Sequence, residues 1–392
     1  MRAGEEARLE RRLDAERAEI SARFAGVRSL HCGRLALIPR ADAAGKDALL
    51  FETSFDGDVS AHCAALADRA GSELLGFFEH CEGSGRERSV QGMLRLGSRR
   101  TGAFFSAHRG LSVERIERDA ALREAFRGFV RAEAARSDDA LAIVEAARAR
   151  LVPDFGLDSA NGLEAVAGPA GAGRGTNPAI SAATLCGLAP WFVRSAVHDG
   201  LDVLKALWRD EKLDRSGVEA RLERIAALDV AERQRAFTHV VAIKPGRFRR
   251  RALAAALRCV DAWLREARPS ALGSSHFARW VELGDGRLAF LSHHDQSLEA
   301  ELGSFVERLS FVMNLVWSHT RDFPAGFSAL FGGVRDEPRF KAWAQVKQLP
   351  TQLSYCAYPA LSVSDVRRGS ELRGILSETL AASSARRALE LV

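Results

Sequence analysis

Apolar and polar positions alternate at period two in two distant stretches, LHCGRLALI (Leu30 to Ile38) and SHFARWVEL (Ser275 to Leu283). That alternation predicts half-buried strands. Each is followed by a second strand-like run, ALLFETSF and RLAFLSHH, and in the later case GDG (Gly284 to Gly286) supplies a tight hairpin turn. The period then changes. Val59, Cys63, Leu66, Ala70, Leu74 and Phe77 recur at helical spacing, and Val113 to Ala134 and Val363 to Leu376 also favour helix.

The order strand, strand, helix, strand, helix therefore occurs twice, and the residues recur with it. Aligning Phe51 with Phe290 places Asp56 on Asp295, Arg69 on Arg308 and His80 on His319 without a gap. Upstream, His31 and Arg34 fall on His276 and Arg279; downstream, Ala103 to Phe126 lies on Leu353 to Leu376, with LSV shared. Three blocks in one order point to an internal duplication. The expected fold is α+β, with two tandem ferredoxin-like units, each a sheet of about four antiparallel strands carrying two helices, packed as a dimeric α/β barrel. The expected division is a charged N-terminal helix (1–27), a first unit (28–130), a helical insert (131–269), a second unit (270–380) and a C-terminal tail (381–392). The insert holds a Gly/Pro-rich stretch, AGPAGAGRGTNP, that reads as linker, and a short apolar run, FTHVVAI.

Composition narrows the function classes. A net charge of +5 over 392 residues is modest and argues against nucleic acid as a specific partner. The six cysteines are scattered without a C-x-x-C pair, which suits reduced, buried thiols in the cytoplasm and offers no zinc site or other metal site. The charged N-terminus lacks the apolar centre of a signal peptide, and the longest uncharged stretch, Gly175 to Val193, carries two prolines and makes a poor membrane span. No G-x-S-x-G, H-E-x-x-H, P-loop or strand-borne G-x-G-x-x-G occurs.

The strings KPGRFRRRALAAALRCVDAWL, SSHFARWVEL, FLSHHDQS and QLPTQLSYCAYPALSV resemble a family of largely uncharacterised bacterial proteins with a tandem dimeric α/β-barrel fold, related in architecture to dye-decolourising haem peroxidases. The resemblance spans most of residues 28–130 and 236–376. Where that family's strand end reads like FxSNYDGS, this chain has TSFDGD and SHHDQS. The resemblance implies an oxidoreductase of the haem-peroxidase kind that would use haem in the barrel cavity; the alternative is a non-catalytic protein that binds a small apolar or anionic ligand in that cavity or meets a membrane through the basic helix 248–267.

Several residues are candidates for chemistry. Arg34 shares a strand face with Cys32, Ala36 and Ile38, and Arg279 with Phe277, Val281 and Leu283, while His276 and Trp280 lie on the other face. An arginine on an apolar face needs an anion. Asp56 and Asp295 are the recurring candidates, giving either a buried ion pair in each unit or a ligand-facing arginine beside an acid/base aspartate that could hold a small anionic ligand. His319 and His80 sit where a helix C-terminal dipole favours a cation; alternatively His319, with His276, would ligate haem. The adjacent His293 and His294 face opposite sides of a strand, do not recur, and read as incidental. Lastly, Leu253, Leu257, Val260, Trp263 and Leu264 form a helical stripe flanked by Arg249, Arg250, Arg251, Arg258 and Arg265. Such a helix suits either core packing or an anionic membrane surface, with Trp263 at the headgroups.

Overall fold

The computed structural model describes residues 1–2, 4–40, 47–82, 89–133, 139–156, 197, 217–229, 233–267, 271–324 and 333–392. The Gly/Pro-rich stretch at 167–178 lies outside them. In chain order the elements are α1 (Glu6–Ala25), β1 (Leu30–Ile38), β2 (Ala48–Phe55), α2 (Val59–Phe78), α3 (Val90–Gly97), β3 (Thr101–Ser106), α4 (Val113–Glu133) and α5 (Ala140–Phe155). After these come α6 (Val218–Leu228), β4 (Arg235–Ala242), α7 (Arg247–Glu266), β5 (Ser275–Glu282), β6 (Arg287–His294) and α8 (Leu298–Trp317). The chain closes with α9 (Glu337–Val346), β7 (Gln348–Leu349), β8 (Leu353–Cys356), α10 (Val363–Ser377) and α11 (Ala382–Glu390).

The protein is mixed α+β with two antiparallel sheets, β2-β1-β8 and β3-β5-β6-β4-β7. This differs from a four-stranded sheet in each half. The strand that follows α3, β3, pairs with β5, which lies far along the chain, and β8 pairs with β1. Registers on the two sides correspond. Arg34 lies opposite Ser354 and Leu35 opposite Leu353, while Arg279 lies opposite Phe104 and Trp280 opposite Ala103. The apolar run FTHVVAI forms most of β4, which extends the second sheet beyond β6.

Each sheet buries one face under helices. Leu9, Leu13, Ile20 and Phe24 of α1 meet Leu66, Leu74 and Phe77 of α2 and Leu35, Leu37 and Leu353 of the first sheet. On the second sheet, Phe237, Trp280 and Phe290 pack with Leu253, Leu257, Val260 and Leu264 of α7 and with Leu309, Met313 and Trp317 of α8. The basic helix thus turns its apolar stripe into the core, each large side chain contributing about 1.5–3 kcal/mol of burial. A Cβ at Gly102 of β3 would lie 2.8 Å from Leu257, so the strand approaches α7 as closely as glycine permits. Trp263 is only partly buried and packs on the same cluster rather than standing clear for headgroups.

The helices after β3 and β8, α4 and α10, pack on each other. Leu122 and Phe126 of α4 join Leu372 and Leu376 of α10, with Val144 and Leu151 of α5 and Ala385 and Ala388 of α11. A Cβ on Gly369 would sit 3.1 Å from the Asp119 carbonyl oxygen, which marks how closely α4 and α10 cross. The C-terminal segment expected as a tail is helical because its small alanines fit this bundle. Among the described residues no helix is long and apolar enough to cross a membrane.

Candidate functional site

The polar centre lies between the two sheets and at one end of them. A β-bulge inserts His31 into β1 between Leu30 and Cys32, and a matching one inserts His276 into β5 between Ser275 and Phe277. Bulges re-aim side chains. Each histidine is thereby carried to the aspartate ending the adjacent strand: His31 Nε2 lies 2.7 Å from Asp56 Oδ1, and His276 Nε2 2.6 Å from Asp295 Oδ1. The second carboxylate oxygens accept from the first-turn amides of α4 and α10, Asp56 Oδ2 from Val113 N at 2.9 Å and Asp295 Oδ2 from Val363 N at 2.8 Å. Carboxylates at helix N-termini are favoured by the dipole.

The remaining histidine nitrogens are also engaged. His31 Nδ1 is 2.8 Å from the Tyr358 hydroxyl, and His276 Nδ1 is 2.8 Å from His108 Nε2. A carboxylate only accepts, so each Nε2–H donates to its aspartate; in a neutral ring the Nδ1 then accepts, from the Tyr358 O–H or the His108 Nε2–H. Burial supports those donors by pushing the Tyr358 phenol well up and the His108 imidazole well down, so that both stay neutral. His108 and Tyr358 occupy matching places, each closing a turn through its carbonyl to Leu111 N or Leu361 N. The result is two like chains, Asp56–His31–Tyr358 and Asp295–His276–His108, whose ends meet with the His108 and Tyr358 rings 5.9 Å apart.

The arginines do not pair with these aspartates, which corrects the expected Arg34–Asp56 and Arg279–Asp295 ion pairs. Arg34, fully buried, donates from Nε to Glu52 Oε2 at 2.9 Å and from Nη1 and Nη2 to the carbonyls of Phe237 and Ser292, both at 2.8 Å. It also donates to His293 Nδ1 at 2.8 Å. Arg279 crosses in the opposite direction, to the Thr53 carbonyl at 3.1 Å, the Ser54 hydroxyl at 2.5 Å and Glu52 Oε1 at 3.0 Å. The reason is register. Arg34 lies directly opposite Glu52 on β2, with side chains on one face, whereas Asp56 lies past the strand end and level with the bulge. Both guanidiniums therefore share one carboxylate.

Two residues escaped the sequence reading for one reason. Glu52 aligns with Leu291 and His293 with Ser54, so neither recurs, and recurrence was the filter. Where the two sheets meet, one carboxylate can serve both arginines and need not be repeated. His293 is not incidental: it accepts from Arg34 where Ser54 accepts from Arg279, and burial beside Arg34 pushes its pKa well down. Its neighbour His294 turns elsewhere, to the Gln296 carbonyl at 2.9 Å.

His319 and His276 are not brought to one site. His319 is buried beside Arg249, with Nδ1 3.3 Å from its guanidinium, and burial pushes it down to about 3. A neutral imidazole gains nothing from a helix C-terminal dipole, so that expectation fails for His319, while His80 pairs with Glu5 at 2.6 Å. Haem does not fit His276 as an axial ligand. An axial ligand needs a free ring nitrogen facing an open site. Both nitrogens of His276 are hydrogen-bonded, and Arg34 and Arg279 bridge the layer between the sheets where a macrocycle would lie. Haemin added to the purified chain is expected to give the absorbance of free haemin, and a shifted Soret band would refute this. Comparison with known proteins brings no match to a family model, a curated protein or a solved structure.

Proposed function

We propose that this chain is a non-catalytic, peripheral protein that docks on anionic surfaces, above all the anionic cytoplasmic leaflet of a membrane, through the outward face of α7. In this reading the architecture is a duplicated one, two ferredoxin-like units of the dimeric α/β-barrel type that exchange third strands. Its inter-sheet polar groups are architectural. What supports this is that the side chains nominated for chemistry, Arg34, Arg279, Asp56, Asp295 and His276, are all held in hydrogen bonds within the protein.

The observation that carries the docking role is the exposed basic stripe. Arg247, Arg250, Arg251, Arg258 and Arg265 are exposed along α7, whose apolar side is buried in the core. A 20-residue helix presents such a stripe over about 30 Å. With no apolar residue to insert, attraction is electrostatic, about 1 kcal/mol per arginine near an anionic bilayer. Arg265 is paired with Asp261 at 2.8 Å, so the other four arginines would together favour the surface by about three orders of magnitude, and screening by salt weakens this.

Sedimentation with vesicles tests it. The chain is expected to bind vesicles containing phosphatidylserine at low ionic strength, to ignore pure phosphatidylcholine, and to release as salt rises. The Arg251→Ala/Arg258→Ala variant should partition about thirtyfold less. Equal binding to neutral vesicles, or binding to an oligonucleotide but to no vesicle, would sink the proposal.

A further inference from the structure

Cys32 and Cys356 are 324 residues apart in the chain, yet their sulfurs lie 3.4 Å apart across β1 and β8. They are direct register partners. Ala357 N donates to the His31 carbonyl beside them, which makes Cys32 and Cys356 a pair without a hydrogen bond of its own. Opposed residues at such places have Cα atoms about 4.5 Å apart, within the roughly 4.4–6.8 Å that a disulfide spans. No bond joins the two sulfurs; Cys32 is buried and Cys356 is partly exposed. The Cys356 S–H points to Gln234 Oε1 at 2.7 Å, leaving its sulfur to accept from Cys32. The matching place on the other sheet holds Phe277 opposite Ser106, so strand pairing itself does not require two cysteines.

We propose that Cys32 and Cys356 form a reversible redox staple that joins the two halves of the chain, oxidised by a low-molecular-weight disulfide of the glutathione type. The Cys356 thiolate attacks one sulfur of oxidised glutathione; the new S–S bond forms as the old one breaks, and the first glutathione leaves with the proton the thiol gave up. The Cys32 thiolate then attacks the Cys356 sulfur and expels the second glutathione, which takes the second proton. The protein loses two electrons and two protons, and oxidised glutathione gains them. Burial raises the Cys32 thiol well above its usual range, so the partly exposed Cys356 reacts first and Cys32 resolves.

Closure would couple β1 to β8 covalently and free Gln234 Oε1, while the Gln234 amide still donates to the Tyr358 and Leu361 carbonyls. The test uses the whole folded chain incubated with oxidised glutathione, alkylated and peptide-mapped. The thiol count should fall from six to four, one peptide pair should link Cys32 to Cys356, and Tm should rise by a few degrees until dithiothreitol reverses it. Cys356→Ser should abolish the link and the Tm shift while leaving Cys32 reduced. If that variant folds poorly, the wild-type map decides. Recovery of both cysteines fully alkylated, with glutathione only on the partly exposed Cys63, Cys81 or Cys259, overturns the staple.

Discussion

Lowering the pH from about 7 to about 5 is expected to move the urea midpoint of this protein steeply downward, because folding holds an unusual number of histidines neutral. Burial pushes His239 and His319 down to about 3 and His62 and His294 down to about 4. His108 and His293 shift in the same direction. His239 is the extreme case, with neither ring nitrogen hydrogen-bonded in its cage of Phe237, Trp317 and Trp343. Each of these groups titrates near 6.5 once unfolded, so below that pH the unfolded chain binds the extra protons. Stability then rises with pH, is fully present above about 6.5, and is lost as pH falls toward the folded values. One shift opposes this: Glu301, buried with Ser274 and Ser275 as donors, has a raised pKa and favours the folded state slightly in acid.

The magnitude decides the outcome. A fully buried histidine of this kind costs up to about 2 kcal/mol by pH 5, so several of them together offset a large part of a typical total stability of roughly 5–15 kcal/mol. His239→Leu, which gives up no hydrogen bond, should reduce the slope by about 1.4 kcal/mol per pH unit in the acid range. Urea midpoints that stay level between neutrality and pH 5 would refute the account.

Glu52→Gln is expected to destabilise the protein by about 3–5 kcal/mol, more than any conservative change on the surface. Glu52 stands between Arg34 and Arg279, at 2.9 and 3.0 Å, and both arginines are withdrawn from solvent with side-chain exposures of 1% and 14%. Neutralising the carboxylate leaves two guanidiniums face to face in a layer that, among the described residues, offers them carbonyls, hydroxyls and an imidazole but no second anion. Neither can shed its proton. Arg279→Met should cost less, since Arg34 and Glu52 then remain as a one-to-one pair. Equilibrium urea unfolding of the two variants reads the difference, and a Glu52→Gln loss under 1 kcal/mol would show that the cluster is not what joins the sheets.

Much of the secondary structure was legible because local periodicity carries it. Period-two alternation separated Arg279 from Trp280, and these side chains do go to opposite sides, one across to Thr53 and Ser54 and the other under α7 and α8. The alternation fails at His31 and His276, where a bulge adds a residue and resets the face. That offset gives Asp56 and Asp295 to histidines instead of arginines. A one-residue irregularity leaves no mark in hydropathy, since His31 and His276 read as ordinary members of their strands.

The sequence by itself determined most of the elements, the faces on which Arg34 and Arg279 lie, and the apolar stripe of α7, because each follows from the spacing of side chains on one local backbone. Tertiary structure decided the partners: that β3 and β8 pair with the opposite halves, that one Glu52 serves two arginines, and that Cys32 meets Cys356. A buried charge or thiol takes its partner from whatever the neighbouring strand brings into register. That register depends on bulges, loops and exchanged strands that no local pattern records.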